Sequence, residues 1–224
     1  MELVVFDLDG TLIDADSSAL WNRYLWKNKI TTNPYFLELE KEGYERYLDQ
    51  SLNIFEHLPK VMDAISHLSE EEIDELTNDY AKEIIPYYVF PEAKSVIEKY
   101  REQGVRMIII TASSSFFVNK IARLLDIEII GLDLEKICGR YYVKGMPSFR
   151  EGKVERLNKW MSKNNIKPSK IIFYTDSIND VFLCERSDEV YAVNADEELN
   201  NICRQKGWKI LKWKREKSRE LGLF

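Results

Sequence analysis

The chain has 224 residues, of which 45% are hydrophobic, and this is enough apolar material for a sizeable core. Its formal net charge of −6 argues against a nucleic-acid partner, and no apolar stretch approaches the length of a membrane span. The N-terminus lacks the pattern of a signal peptide, and the spacing of Cys138, Cys184 and Cys203 fits neither a zinc site nor a disulfide framework. We therefore expect a soluble, cytoplasmic protein with reduced thiols and no membrane partner.

The first predicted element is a short buried strand, residues 3–6, that ends at Asp7. Asp9 follows two residues later, and Gly10 begins a turn. In open α/β sheets the carboxyl ends of strands line ligand sites, and carboxylates buried there need a partner such as a divalent cation. Asp-x-Asp-Gly can also be a simple turn in which an aspartate caps its own backbone. Later segments favour the cation site because they supply its other parts.

A helical insertion is predicted over residues 15–88. This segment has no strand-like run of note, and its apolar residues recur at helical spacing. Ser69 and Glu72 form a capping-box pattern that predicts the start of one helix. We expect a helical cap domain over residues 15–88 and an α/β core domain that comprises residues 1–14 and 89–224.

An alternation of strands and helices follows the insertion. The predicted strands span residues 105–110, 170–175, 189–193 and 208–211, and the predicted helices residues 91–103, 114–125, 151–164, 179–185 and 196–206. Two further strand-like runs within residues 127–146, EIIGLDL and GRYYVKG, favour an antiparallel hairpin. The alternation predicts an α/β fold with a doubly wound, mostly parallel sheet and helices on both faces.

Four motifs in a fixed order carry a family resemblance. DLDGT at residues 7–11 is followed by Thr111 at the end of VRMIIIT, Lys153 in FREGKVERL, and Asp176 and Asp180 in DSIND. In this order they resemble the haloacid dehalogenase superfamily of phosphatases, and within it the phosphoserine phosphatase branch, whose relatives include proteins named histidinol phosphatases. The resemblance implies a Rossmann-like core with the helical cap inserted after the first strand.

The resemblance also implies a reaction and a cofactor. Asp7 would be the nucleophile that forms an aspartyl-phosphate, and Asp9 the general acid and base. The cofactor would be Mg²⁺, with Asp7, Asp9, Asp176 and Asp180 as its ligands, Asp9 through its backbone carbonyl. The substrate would be a small phosphorylated metabolite.

Further residues receive roles from the same resemblance. Thr111 would donate a hydrogen bond to a phosphoryl oxygen, and Lys153 would neutralise Asp7 and the phosphoryl charge. The candidate substrate-binding residues are Asp16, Ser113, Arg23 and Arg46. Asp16 stands where phosphoserine phosphatases carry a glutamate that contacts the substrate amino group, although it is also placed to cap a helix near Ser17. Arg23 and Arg46 could meet a substrate carboxylate or lie in solvent.

Several functional alternatives stay open at this stage. The same chemistry would serve a phosphotransferase, and the same ligands would serve a regulatory protein that binds phosphate or metal without turnover. In a purely structural protein the acidic strand ends would be turn residues. The basic stretch over residues 204–219 could bind anions, although such runs are usually solvated.

Overall fold

The computed structural model describes residues 1–49 and 51–214. Its strands are β1 (Glu2–Phe6), β2 (Arg106–Ser114), β3 (Glu128–Leu132), β4 (Leu134–Ile137), β5 (Arg140–Val143), β6 (Lys170–Thr175), β7 (Glu189–Val193) and β8 (Lys209–Leu211). Its α-helices are α1 (Ser17–Lys27), α2 (Phe36–Leu48), α3 (Ile54–Met62), α4 (Glu70–Glu83), α5 (Pro91–Glu102), α6 (Ser115–Leu125), α7 (Glu151–Lys163), α8 (Val181–Arg186) and α9 (Glu197–Lys206). Short 3-10 turns occupy Asp63–Ile65, Ile85–Tyr87 and Ile178–Asp180.

The main sheet has six strands in the order β3-β2-β1-β6-β7-β8, and every neighbouring pair is parallel. Counted along the chain within this sheet, the order is 3-2-1-4-5-6, that of a doubly wound fold. Residues 3–6 of β1 are fully buried because helices cover both faces of the sheet. The strand order reverses between β1 and β6, and this switch point is where such folds bind ligands. The predicted fold class is confirmed.

The predicted hairpin is wrong in its first strand. The run EIIGLDL divides at Asp133: β3 pairs in parallel with β2 in the main sheet, and only β4 pairs with β5. Burial explains the division, because Ile130 and Leu132 are buried in the core whereas β4 is largely exposed. Cys138 and Gly139 join β4 to β5, both at positive φ, as two-residue hairpin turns require.

Four helices, α1 to α4, form the segment between β1 and α5. The predicted capping box is present at the start of α4, where Ser69 and Glu72 bond to each other's backbone N–H. The segment that leaves the sheet after β1 lies beside the segment that returns to it before α5. Asp14 N donates to Tyr88 O at 2.7 Å, and Phe90 N donates to Leu12 O at 3.1 Å. The division into a cap over residues 15–88 and a core remains a prediction.

Two further expectations concern the surface. No helix within residues 1–49 and 51–214 is long and apolar enough to cross a membrane. In the described part of the basic stretch, Lys206 is ion-paired with Glu185 at 3.1 Å and Lys209 with Glu189 at 3.4 Å. Residues 215–219 of that stretch lie outside the described residues.

Candidate active site

A buried lysine holds two of the predicted carboxylates together at the switch point. Asp7 directly follows β1, Lys153 lies in the first turn of α7, and Asp180 precedes α8. Lys153 Nζ donates to Asp7 Oδ1 at 2.8 Å and lies 2.7 Å from Asp180 Oδ1. Thr175 Oγ1 donates to Asp180 Oδ2 at 2.7 Å. Burial opposes the charge of Lys153, but the ion pairs with Asp180 and Asp7 outweigh it and raise its pKa above the usual value.

Two glycines allow the close approaches that build this cluster. Gly10 has φ +70°, and a Cβ there would lie 2.0 Å from Asp176 Oδ2, so a side chain would displace that carboxylate. A Cβ on Gly152 would lie 2.0 Å from the carbonyl oxygen of Pro147. The start of α7 therefore approaches that loop closely, and this approach brings Lys153 to Asp7.

The carboxylate cluster carries more negative charge than its lysine neutralises. Burial, followed by the charges of Asp7 and Asp180, raises the pKa of Asp176 well above its usual value. Burial likewise raises the pKa of Asp7 to about 7, against the effect of Lys153. Ionisation of all three carboxylates beside the one ammonium would leave a net charge of −2, which the raised pKa values oppose unless a cation is bound. Asn179 is also buried in this region, and its Oδ1 has no partner among the described residues.

This donor set fits Mg²⁺. Among the described residues, no group of three or more Asp, Glu, His or Cys side chains is placed so that it could hold a metal ion by itself. Mg²⁺ does not need one, because it keeps several waters and is usually held by one or two carboxylates together with substrate oxygens. A divalent cation would balance the charge of −2 that Asp7, Asp176, Asp180 and Lys153 leave.

Asp9 is held apart from this cluster by a separate set of hydrogen bonds. Ser17 N donates to Asp9 Oδ1 at 2.6 Å, and Ser113 Oγ donates to Oδ2 at 2.7 Å. Thr111 Oγ1 also donates to Oδ2, at 3.2 Å. A hydroxyl has one hydrogen, so Thr111 and Ser113 support Asp9 here and do not also donate to a ligand. To act as the predicted phosphoryl donor, the Thr111 hydroxyl therefore has to turn away from Asp9 and point its hydrogen at the phosphoryl group.

The strand ends open into a cavity of about 510 Å³ that residues of α1, α2 and α3 also line. Asp7, Asp9 and Asp176 line its floor. From α2, Tyr47 reaches over the acidic cluster, and burial together with the charges of Asp180, Asp7 and Asp176 raises its pKa well above the usual value. Asn179 Nδ2 donates to the carbonyl oxygen of Tyr47 at 3.4 Å, which links the turn before α8 to α2.

Asp16 caps a helix as predicted and also lines the cavity, and its contact with a substrate amino group remains a prediction. Its Oδ1 accepts from Ala19 N at 2.9 Å and so caps α1, and the residue also lines the cavity. Burial, followed by the charge of Asp9, raises the pKa of its carboxyl to about 7. Glu40 on α2 lines the same cavity, and burial raises its pKa while the charge of Arg23 opposes the rise.

The two predicted arginines lie away from the cavity lining. Arg46 is about half exposed, with 52% of its side-chain surface accessible, and pairs with Glu42 at 2.5 Å on the outer face of α2. Arg23 is partly buried on α1, and its charge acts on Glu40 and Tyr88. No part of the described cavity is lined by Arg46.

Several residues of this site were not predicted as functional. Ser17 contributes through its backbone N–H, which any residue except proline would supply, so its identity carried little signal. Tyr47 and Glu40 lie on a helix whose pattern predicts only amphipathic packing. His57 also lines the cavity, against Gly43, where a Cβ would lie 2.2 Å from His57 Nε2.

Comparisons with known proteins agree with this geometry. Residues 4–185 match the family described as haloacid dehalogenase-like hydrolase. A histidinol-phosphatase of Neisseria meningitidis serogroup C is 32% identical over 220 residues, which cover 95% of this chain and 99% of that protein. A protein with unknown function from Bordetella pertussis Tohama I, solved as a crystal structure, is 28% identical with a TM-score of 0.85 over 94% of this chain and 97% of its own.

A phosphoserine phosphatase solved as a phospho-aspartyl intermediate analogue has the same fold. Its TM-score is 0.66 at 20% identity, over 96% of this chain and 94% of its own. At that identity the likeness concerns the fold alone. The family match over residues 4–185 spans most of the chain and includes all four motifs, so the predicted resemblance is confirmed. The chain therefore belongs to the haloacid dehalogenase-like hydrolases.

Proposed function

We propose that the protein is a Mg²⁺-dependent phosphomonoesterase that hydrolyses a small phosphorylated metabolite through an aspartyl-phosphate. The observation that carries the proposal is the arrangement of Asp7, buried and oriented by Lys153, at the floor of a cavity of about 510 Å³ beside Asp9 and Asp176. A cavity of this size suits a small metabolite. The name of the Neisseria relative supports histidinol phosphate as a candidate substrate, and the motif resemblance to the phosphoserine phosphatase branch makes phosphoserine a second candidate.

Asp7 is assigned the nucleophile. Its Oδ1 accepts from Lys153 at 2.8 Å, which fixes the orientation of the carboxylate and leaves Oδ2 as the attacking atom. Attack on phosphorus forms an aspartyl-phosphate and breaks the bond to the substrate alcohol. Lys153 would stabilise the charge that develops on the phosphoryl oxygens beside it.

Asp9 is assigned the role of the general acid and base that transfers protons in both steps. In the first step a protonated Asp9 would give its proton to the departing alcohol oxygen, and in the second its carboxylate would take a proton from the water that attacks phosphorus. The second step releases phosphate and restores Asp7. Ser17 N–H, Thr111 and Ser113 would hold Asp9 in position through both steps.

Asp7, Asp176 and the backbone carbonyl of Asp9 would hold Mg²⁺, and Asp180 would act through water. Bound there, the ion would cancel the repulsion between the Asp7 carboxylate and an anionic phosphoryl group. We extend the proposal to a cytoplasmic location, which the three free cysteines support because exposed Cys138 would be prone to oxidation elsewhere.

The proposal is tested by phosphate release from a panel that contains 4-nitrophenyl phosphate, histidinol phosphate and phosphoserine, with Mg²⁺ and with a chelator. We expect release that needs Mg²⁺ and that Asp7→Asn lowers at least about 1,000-fold, because the amide cannot form the aspartyl-phosphate. Asp126→Asn is the control: its side chain is 92% exposed, and asparagine suits its positive φ. Wild-type rates in Asp7→Asn would overturn the assignment of the nucleophile, and metal binding without any release would favour a regulatory binder.

A further inference from the structure

A carboxylate from outside the turn of residues 176–180 bonds to the middle of that turn. The turn connects β6 to α8, with Asp176 at its start and Asp180 at its end. Ile178 lies midway between the two aspartates, and its N–H donates to Asp196 Oδ2 at 2.7 Å. A hydrogen bond from a backbone N–H to a carboxylate is charge-assisted and about twice as strong as one between neutral groups. Both aspartates of the turn are therefore tied, through Ile178, to the residue that precedes α9.

The other N–H groups of the turn bond locally. Of the four N–H groups in residues 177–180, which the structure describes in full, only that of Ile178 donates to a group outside residues 175–180. The other three bonds are Ser177 N to Thr175 Oγ1 at 3.3 Å, Asn179 N to Ser177 Oγ at 3.3 Å and Asp180 N to Ser177 O at 3.1 Å. Local bonds define the shape of the turn, whereas the bond with Asp196 fixes its place relative to α9.

Asp196 is itself held in one orientation. Its Oδ1 accepts from Leu199 N at 2.7 Å and so caps α9, and Leu199 is fully buried in the core. Its backbone N donates to Asp176 O at 2.9 Å. The residue is exposed, but each carboxylate oxygen accepts from a backbone N–H, and these two bonds set the direction of the side chain. Asp196 therefore provides a fixed point from which the turn is held.

The position of this turn matters because the carboxylates of the site repel one another. Burial, followed by the charges of Asp7 and Asp180, raises the pKa of Asp176 well above its usual value. Without a bond from outside, the turn would relax in the direction that separates Asp176 and Asp180 from Asp7. Mg²⁺ demands near-octahedral ligands at about 2.0–2.1 Å, so even a small displacement of Asp176 would weaken its binding.

We propose that Asp196 is a positioning residue for the Mg²⁺ site: by accepting from Ile178 N, it holds the turn of residues 176–180 where Asp176 and Asp180 can meet the ion. This inference rests on the metal site of the proposed function and adds to it a residue outside the four motifs. Both oxygens of Asp196 are engaged by backbone N–H groups, so it acts through the turn and not as a ligand.

Two substitutions separate this role from the capping of α9. Asparagine and serine are N-caps as good as aspartate, so Asp196→Asn and Asp196→Ser should both keep the helix. Each of these side chains has one oxygen in place of two, so the bond with Ile178 N is lost when the cap is kept.

Calorimetric titration of the metal-free proteins with Mg²⁺ alone measures the effect without turnover. We expect the Kd for Mg²⁺ to rise about tenfold in both Asp196 variants, the equivalent of one hydrogen bond to a charged group. Water can replace the carboxylate at the Ile178 N–H because the position is exposed, so the fold should survive. An unchanged Kd in both variants would overturn the proposal.

Two matched controls exclude general causes. Asp188 Oδ2 accepts from Ile171 N at 2.7 Å, so Asp188→Asn removes the same kind of bond at the opposite end of β6. Glu197 is exposed beside Asp196, so Glu197→Gln removes one negative charge from the same end of α9. We expect both controls to bind Mg²⁺ within about twofold of the wild-type Kd. A loss of about tenfold in either control would contradict the proposal, because lost stability or lost charge alone would then explain the effect.

Turnover separates this inference from the proposed function. Phosphate release from 4-nitrophenyl phosphate is measured against Mg²⁺ concentration for the wild type and Asp196→Asn. We expect the half-saturating Mg²⁺ concentration to rise about tenfold and kcat at saturating Mg²⁺ to stay within about threefold of wild type, because excess metal restores the loaded site. A fall in kcat that excess Mg²⁺ does not restore would contradict the positioning role.

The two proposals fail in different ways. Weaker Mg²⁺ binding in the Asp196 variants, with no phosphate release from the wild type, would overturn the proposed function alone. Metal-dependent release by the wild type, with the same Kd for Mg²⁺ in the wild type and in both Asp196 variants, would overturn the role of Asp196 alone.

Discussion

Single residues of this site serve folding and chemistry together. Asp16 caps α1 through its hydrogen bond with Ala19 N at 2.9 Å and also faces the cavity, with the charges of Asp9 and Glu40 nearby. A helix cap favours the ionised carboxylate, but burial and neighbouring negative charge oppose it more strongly. The residue therefore contributes to stability in a way that depends on pH.

The raised pKa of Asp16 predicts the direction of that dependence. The pKa is about 7 in the folded protein, against 3.8 for the ordinary carboxyl. The folded state thus binds the proton more tightly, so the contribution of Asp16 to stability is full below about pH 4 and is lost as pH rises through about 7. Asp16→Asn keeps the cap, since asparagine is as good an N-cap as aspartate, and removes the titration.

We expect the free energy of unfolding of Asp16→Asn, relative to wild type, to rise by about 2 kcal/mol between pH 5 and pH 8. Urea denaturation of the metal-free proteins at several pH values measures this difference. The other acidic groups of the site are common to both proteins, so their titration largely cancels. A difference that does not change with pH would mean that Asp16 titrates as an ordinary surface carboxyl.

Sequence patterns predict where the site residues lie better than what each contacts. Asp7 and Asp176 follow strands whose ends a parallel sheet brings to one edge, whereas the prediction for Lys153 depends on the family resemblance; the structure groups all three. The interaction of Thr111 with Asp9 was not predicted, because the direction of a hydroxyl proton depends on side chains that are distant in sequence. For Arg46 the sequence left a substrate contact and a solvated position open, because the charge is visible in the sequence and the orientation on α2 is not.

At the scale of elements, the turn after β1 depends on the absence of a side chain. Gly10 has φ +70°, and a Cβ there would lie 2.0 Å from Asp176 Oδ2. Gly104 has a similar φ of +64° with nothing within 4 Å of its added Cβ. Both glycines therefore need a left-handed backbone conformation. They differ in that only a side chain at Gly10 would collide with Asp176.

This pair predicts two separable effects of substitution by alanine. We expect Gly104→Ala to lower stability by about 1–2 kcal/mol, the cost of a left-handed conformation for a residue with a Cβ, and to keep the rise in Tm that Mg²⁺ produces. Gly10→Ala should carry the same cost and also lose most of that rise, because Asp176 is displaced. Thermal melts with and without Mg²⁺ measure both effects, and a normal Mg²⁺ response in Gly10→Ala would argue against Asp176 as a ligand.

Most elements of the core follow from local patterns, and β6 and β7 begin and end where the sequence predicts them. The division of EIIGLDL could not be predicted from alternation, because Asp133 alone separates β3 from β4 in the sequence. Only the partner differs: β3 has β2 beside it in the main sheet, whereas β4 pairs with β5 outside it. Which strand each of them pairs with depends on the packing of the whole molecule, which the local sequence does not show.

At the scale of the whole molecule, the predicted cap and core share one hydrophobic cluster. Trp21 on α1 stacks on Phe117 of α6, with ring centroids 5.9 Å apart, and Tyr80 on α4 meets the same ring edge-on at 5.9 Å. Tyr80 also donates to the carbonyl oxygen of Ser17 at 2.7 Å. Burial of these aromatic rings stabilises the cap only when the core is folded. The predicted boundaries of residues 15–88 therefore divide the sequence, but side chains from both parts pack together across them.

This shared cluster predicts that cap and core unfold together. Phe117→Ala removes a side chain that is 2% exposed, and we expect a loss of about 3–5 kcal/mol in unfolding free energy. The urea transitions followed by near-UV and far-UV circular dichroism should still coincide, because each part depends on the other for its buried surface. Leu124→Ala, 43% exposed on the same helix, should change stability by less than about 1 kcal/mol. Two separate transitions in the wild-type protein would contradict this coupling, and the cap would then open over the site without disturbing the core.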